Sequence, residues 1–355
     1  MSKTFDYLIV GQGLAGTLLA HFLLEAKQKV MVINHQNPAA ASQVAAGIIN
    51  PITGRRYLKS WRIDDLIPFA ETTYRQLEQQ LGVEFFYPRR IIRAMFTAGE
   101  ENDWLSRTAQ PGYEDYIAAQ LEMGPFREYI SPARAFGEIL QGAQVSLPKL
   151  IEHYRKFLLD QNCFREMQLD YSQLKMQKDG VQYQDVKAKK VVFCDGINAK
   201  QNPFFNYLPF QGAKGEVLII KVSDTQFEKI LKHKLFIVPL GEGLYWIGAT
   251  YDNHFQEPGP TEAGKERLLN KLREMLKVPF EVVKHLAAVR PTVRDRRPFL
   301  GQHPVFDQLF LFNGLGTKGA SLGPFWANEM MRFLTQGTPL DEAVDIRRFE
   351  EMLDR

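Results

Sequence analysis

The amino-acid sequence predicts an α/β fold, α+β overall, in which a helix-covered parallel sheet is joined to a second, mainly antiparallel one. Three observations predict it. The N-terminus runs strand, glycine turn, helix, strand within a span suited to two parallel strands and their crossover helix. The middle carries short strand-like runs in succession, and the C-terminus returns to strand, glycine turn and helix.

Taken in order, Phe5 to Val10 is strand-like, with the apolar run Tyr7-Leu8-Ile9-Val10 at its centre. Gly11 to Gly16 is a turn, a helix extends to about Ala26, and Val30-Met31-Val32-Ile33 is the second strand. The small residues of Ala39 to Gly47 and the turn-rich Asn50-Pro51-Ile52-Thr53-Gly54 read as irregular backbone near a ligand. Leu66, Phe69, Ala70, Tyr74 and Leu77 recur on a helical period and predict a helix from about Ile63 to Leu81. Residues from Val83 to Gln144 read as strand-like pieces between turns. Pro148 to Leu159 is a helix, and Lys189 to Gly196 a buried strand ending in a glycine turn. Gly215 to Ile220, Leu235 to Val238 and Leu244 to Ala249 are strand-like and suggest the separate antiparallel sheet. Leu309 to Phe312 and Pro324 to Leu334 supply the last strand and helix.

The composition excludes several function classes. With 45% hydrophobic and 24% charged residues and a net charge of +3, the 355-residue chain argues neither for a disordered tail nor for a polybasic nucleic-acid binder, while leaving a nucleic-acid partner open. Cys163 and Cys194 form neither a CxxC pair nor a disulfide framework, which suggests a reducing compartment. No signal-type stretch and no span of about 20 apolar residues is present, so the expected location is the cytoplasm, away from membranes. The seven histidines show no HxxxH or other ligand spacing, and neither a metal nor a histidine base is expected.

Gly11-Gln12-Gly13-Leu14-Ala15-Gly16 is a GxGxxG motif directly after a strand and opening a helix. The first glycine permits the tight turn, the second lets a pyrophosphate approach the backbone, and the third lets helix and strand pack closely. The helix N-terminus offers the phosphates free N–H groups and partial positive charge. In this Rossmann-like pattern an acidic residue should end the second strand and hold the ribose, yet Asn34 and His35 stand there. Asn keeps hydrogen bonding but not the charge, so the motif alone leaves FAD and a nicotinamide dinucleotide both open.

Further blocks follow in order along the chain. These are Ser42 to Pro51, Val192 to Gly196, Ile247-Gly248-Ala249-Thr250, Val289-Arg290-Pro291 through Pro298 to Gly301, and Asn313 to Gly319. Together with the glycine motif they resemble the FAD-dependent oxidoreductase family of glycine oxidase, sarcosine oxidase and D-amino-acid oxidase. The segments Ile247 to Asp252, Arg294-Asp295 and Gly314 to Gly319 equally resemble the oxidase domain of the bifunctional enzyme that matures modified wobble uridine in tRNA. The resemblance implies FAD as cofactor and a discontinuous FAD domain of 1–82, 145–210 and 286–355, with a substrate domain of 83–144 and 211–285. It implies FAD contacts from Gly11, Gly13, Leu14, Ala15 and Gly16, from Asn34 and His35, and from Ser42, Ala46, Gly47 and Ile48. Asp195, Gly196, Arg290, Gly314, Gly316, Thr317, Lys318 and Gly319 complete that set. A helix starting near Leu322 would point its positive end at the flavin, with Lys318 adding to it.

The implied reaction is oxidation of a C–N bond in an amino acid or N-substituted-glycine-like amine, with dioxygen as the electron acceptor. No catalytic side chain is assigned. Arg290 matches the family's substrate-carboxylate arginine, a task that suits a guanidinium fork. The plainer alternative for this arginine-rich segment is a solvated basic face or an ion pair with Asp295. Phe236 stands where the family often places a substrate-facing tyrosine, and Arg56, after Arg55, could face the flavin or a substrate anion, although a surface position fits equally. Two rival activities are an oxidase acting on a carboxymethylaminomethyl group of tRNA, and a flavin-binding protein without turnover. Gly319-Ala320-Ser321-Leu322-Gly323 also matches GxSxG, but the last histidine, His303, precedes the serine, against the order of a nucleophile elbow.

Overall fold

The computed structural model describes residues 3–118, 120–223 and 227–353. The chain opens with β1 (Lys3–Val10), α1 (Leu14–Glu25) and β2 (Val30–Asn34). Two long helices follow, α2 (Ile63–Leu81) and α3 (Leu147–Asp160), and then β3 (Val186–Phe193). The middle strands are β4 (Ala213–Lys221), β5 (Phe236–Gly241), β6 (Leu244–Gly248) and β7 (Glu281–Arg290). β8 (Leu309–Asn313) and α4 (Gly319–Gln336) bring the chain back to the first sheet.

β1 lies at the centre of that sheet, parallel to β2 on one side and to β3 on the other, with β8 parallel to β3 beyond. Leu8, Ile9, Val32 and Val192 are fully buried because both faces are covered, which is why these strands read as continuous apolar runs. α1 and α4 pack on one face, and Phe205, Phe210 and Phe299 fill the other.

The second sheet has seven strands in the order β7, β4, β6, β5, Ile230–Lys232, Ile91–Met95 and Ala135–Ile139. All its pairings are antiparallel except that of Ile230–Lys232 with Ile91–Met95. One face packs on the helix Glu262–Met275 through Leu268, Leu272 and Met275, and the other turns toward the first sheet. The Trp246 indole crosses between them and donates to the Val44 carbonyl at 2.8 Å.

Several elements differ from expectation. Ala98–Thr108 is a helix within the stretch read as strands and turns, and its start is a capping box: Thr97 accepts from the Glu100 N–H while Glu100 accepts from the Thr97 N–H. Ala41–Val44 is a helical turn inside the stretch read as irregular. α4 starts at Gly319 rather than near Leu322, because its glycines serve packing: a Cβ on Gly323 would lie 2.8 Å from Leu18 Cδ1 of α1.

Candidate active site between the two sheets

A cavity of about 970 Å³ opens between the sheets, from the glycine turn after β1 to the inner face of β4, β5, β6 and β7. Gly11 has φ +98, and a Cβ on it would sit 2.6 Å from the Cys194 carbonyl oxygen, so only glycine lets the turn lie against the end of β3. Gly13 is the N-cap of α1 and carries no capping side chain, and Gly13, Leu14 and Ala15 all line the cavity. The Leu14 N–H donates to Ser42 Oγ at 3.1 Å, which fixes the Ala39–Gly47 segment over this helix end. Gly16 lies outside the cavity; a Cβ there would overlap the Gly11 carbonyl, the packing role expected of the third glycine.

Asn34 and His35 both line the cavity where the ribose-binding acid was expected. Asn34 Oδ1 accepts from the Gln12 N–H at 2.8 Å, so this amide supports the glycine turn. Ala46, Gly47 and Ile48 form the adjoining wall. Asp195 and Gly196 line the cavity beyond β3. The Asp195 carboxylate accepts from Tyr171 Oη at 3.2 Å, Asn202 Nδ2 at 3.3 Å and Asn313 Nδ2 at 3.0 Å. Removal from water outweighs these bonds and pushes its pKa up to about 6.

The segment before α4 supplies the opposite wall through Gly316, Thr317, Lys318 and Gly319. Lys318 Nζ donates to Ser60 Oγ at 3.1 Å, and its pKa is lowered by burial first, then by the positive charges of Arg296 and Arg297. Gly314 stands behind this wall, with φ +77 and room for a Cβ denied by Val293 Cγ2 at 2.7 Å. Ser321 is buried in α4 and donates to the Lys318 carbonyl, while His303 Nδ1 accepts from the Val305 and Phe306 N–H groups. No nucleophile elbow is built here.

On the second sheet Arg290, Phe236, Trp246 and Gly215 face the cavity. Arg290 is half-buried, its pKa lowered chiefly by desolvation; Nη1 makes a long bond to the Ala213 carbonyl at 3.4 Å, and the guanidinium lies 5.9 Å from the Tyr251 ring centre. It meets no carboxylate among the described residues. The ion pair weighed for this segment forms elsewhere, because Asp295 is taken by Arg348 at 2.9 Å. Arg297 stacks on Trp61 at 3.9 Å. Arg55 and Arg56 are exposed and outside the cavity, and the Arg56 carbonyl accepts from Arg107 Nε at 3.0 Å. The structure therefore does not bring Arg56 to the site.

Two helix starts whose N-cap residues supply no capping side chain, at α1 and α4, open on one elongated cavity whose far wall is a mainly antiparallel sheet carrying an arginine that is unpaired among the described residues. That arrangement fits the class of dinucleotide-dependent oxidoreductases. A family model described as "FAD dependent oxidoreductase" matches residues 6–332, and the chain belongs to this family. It is 25% identical to a glycine oxidase of Pseudomonas putida, with 96% of each chain covered. It is 23% identical to the tRNA 5-methylaminomethyl-2-thiouridine biosynthesis bifunctional protein of Idiomarina loihiensis over 97% of its own length, and spans 59% of that relative. Among solved structures, glycine oxidase from Geobacillus kaustophilus superposes with a TM-score of 0.79 at 20% identity, covering 98% of both chains. An iminodiacetate oxidase from a Chelativorans species gives 0.80 at 18%, covering 97% of this chain and 98% of the other.

FAD is this family's cofactor, and the residues fit it: the bare glycine cradle at α1 suits a pyrophosphate, and the uncapped start of α4 suits an electron-rich ring. Sequence reasoning missed the Tyr171, Asn202 and Asn313 bonds to Asp195, which join distant segments and leave no local pattern. It also missed Gly215, although a lone glycine within a strand signals a close approach.

Proposed function

We propose that this enzyme oxidises the C–N bond of an amino acid or an N-substituted-glycine-like amine whose carboxylate is held by Arg290. One observation carries this reading: a guanidinium faces the cavity from the substrate wall with no acidic partner among the described residues. A half-buried cation without a counter-ion is costly, and a bound carboxylate would offset that cost through two parallel hydrogen bonds. When bound, FAD supplies two-electron acceptance, so that the C–H bond beside the nitrogen is oxidised to an imine, which water hydrolyses, with dioxygen as the final acceptor. Arg290 would anchor and orient the substrate. Phe236 and Trp246 would exclude water, and Phe236 offers no hydroxyl to the substrate. A substrate amine that arrives neutral needs no protein base.

A second reading places the amine on tRNA, as a carboxymethylaminomethyl group. It is favoured by the exposed Arg294 and Arg296, which follow Arg290 along the chain, and by the name of the bifunctional relatives. Flavin reduction in the absence of oxygen, with amine pairs that differ only in the carboxylate, tests the first reading. The carboxylate member should reduce the flavin, and Arg290→Lys, which keeps charge and loses the fork, should cost roughly 2–4 kcal/mol in kcat/KM. Equal rates for carboxylate-free amines, or an unaffected Arg290→Lys, would refute the role of Arg290. Reduction by a modified RNA alone, with free amino acids inert, would select the second reading.

A further inference from the structure

Gly215 sits within β4, with Ala213 and Val217 flanking it on the same face. In register, Ala213 pairs with Arg290 and Gly215 with Ala288, so Gly215 is the diagonal neighbour of Arg290 on the cavity side. A Cβ on Gly215 would overlap Nη2, Cζ and Nη1 of Arg290 at once. The guanidinium thus lies directly on the bare backbone of β4. The φ of Gly215 is not in the left-handed region, so backbone conformation does not require glycine here; the space above it does.

The alternation of the strand sharpens this. Lys214 and Glu216 point to the opposite face, where Lys214 Nζ reaches Glu216 Oε1 at 3.0 Å and His285 Nε2 lies 2.9 Å from Glu216 Oε2. Lys214 and Glu216 are paired with each other, and none of these three side chains bonds to Arg290. Among the described residues, the Arg290 side chain makes only the long bond to the Ala213 carbonyl. Its head is therefore placed by shape: the floor left by Gly215 sets its depth, and Tyr251 stands at the rim.

We propose that Gly215 is a positioning residue for substrate recognition, a bare floor that seats the Arg290 fork deep enough to take a carboxylate in bidentate geometry. The proposal rests on the carboxylate role of Arg290. A methyl group at 215 would lift the fork toward the cavity, fill space meant for the substrate and turn the two N–H donors away from a common carboxylate.

The test is a double-mutant cycle on the FAD-loaded enzyme with a substrate that bears a carboxylate. Gly215→Ala should keep its flavin and raise KM for that substrate by about tenfold or more. Arg290→Lys should raise KM alone, yet add little to Gly215→Ala, because both changes destroy the same fork. If Arg290→Lys raises KM while Gly215→Ala does not, or if the two effects simply add, the positioning role is wrong and the carboxylate role of Arg290 stands. If neither variant affects KM, both are wrong. Should Gly215→Ala lose its fold, Gly215→Ala with Arg290→Ala, which removes the overlapping head, should regain fold and flavin; failure of that pair to fold would place the clash elsewhere and overturn the proposal.

Discussion

Lys232 is unlike the paired charges around it. Its Nζ lies 4.4 Å above the ring of Phe236, it stands opposite Arg93 in the sheet, and it makes no ion pair among the described residues. Burial first, then the positive charges of Arg93 and Lys271, lower its pKa from 10.5 to about 8. The unfolded chain therefore binds this proton up to about pH 10.5, while the folded protein gives it up near 8. Stability contributed at this position rises with pH across that window and is lowest below it. Lys232→Met should raise stability at pH 7 by about 2 kcal/mol, after allowance for lost contact with the Phe236 ring, and the gain should shrink toward pH 10. Urea unfolding at pH 7 and pH 9.5 checks this; a variant less stable at pH 7, or a gain that grows with pH, would mean that the ammonium is well solvated. Nothing in the sequence marks Lys232, since its cost arises from strands far apart along the chain. Arg290 was legible by contrast, because its neighbours Val289 and Pro291 belong to a recognisable block, whereas Arg56 has the same chemistry and no such context.

At the scale of elements, the βαβ unit was legible because every local signal in it agrees: apolar strand, glycine turn, helix, apolar strand. The start of α4 was not, because a glycine that makes a turn and a glycine that lets two helices touch are the same letter. Gly323 against Leu18 is the second kind. The Thr97 and Glu100 capping box was a readable signal for the Ala98–Thr108 helix, hidden by the short elements on either side. The N-terminus of α1 yields a direct expectation. At Gly13 a Cβ would lie 3.3 Å from Ser42 Oγ, and branched methyl groups would reach into the space over the helix end. Gly13→Val should fold, since α1 packs through Leu18, Leu19 and Leu23 on another face, yet it should purify without FAD. Flavin absorbance per protein equal to that of the wild type would show that the dinucleotide lies elsewhere.

At the scale of the whole molecule, the segments around the cavity come from both ends and the middle of the chain, so no single stretch could reveal it. The order of the sequence blocks did, because Gly11 to Gly16, Val192 to Gly196 and Asn313 to Gly319 each lie at the end of a strand and line or back the cavity. The second sheet reaches the segment that lies over α1 through a direct bond, from Trp246 to the Val44 carbonyl. A ligand that touches both walls should tie the sheets together, and its binding free energy adds to the stability of the folded state. FAD would lay its pyrophosphate on the α1 glycine turn, whereas ADP carries that pyrophosphate without the flavin and FMN lacks it. The purified protein should be yellow and release FAD on denaturation. Stripped of flavin and titrated with each nucleotide, it should gain about 2.7 kcal/mol from FAD at a hundredfold excess over Kd. ADP at the same concentration should give a smaller gain and FMN almost none. Thermal unfolding curves measure the three side by side. A gain from FMN equal to that from FAD would remove the pyrophosphate from the argument. A gain from a nicotinamide dinucleotide alone would reassign the cavity altogether.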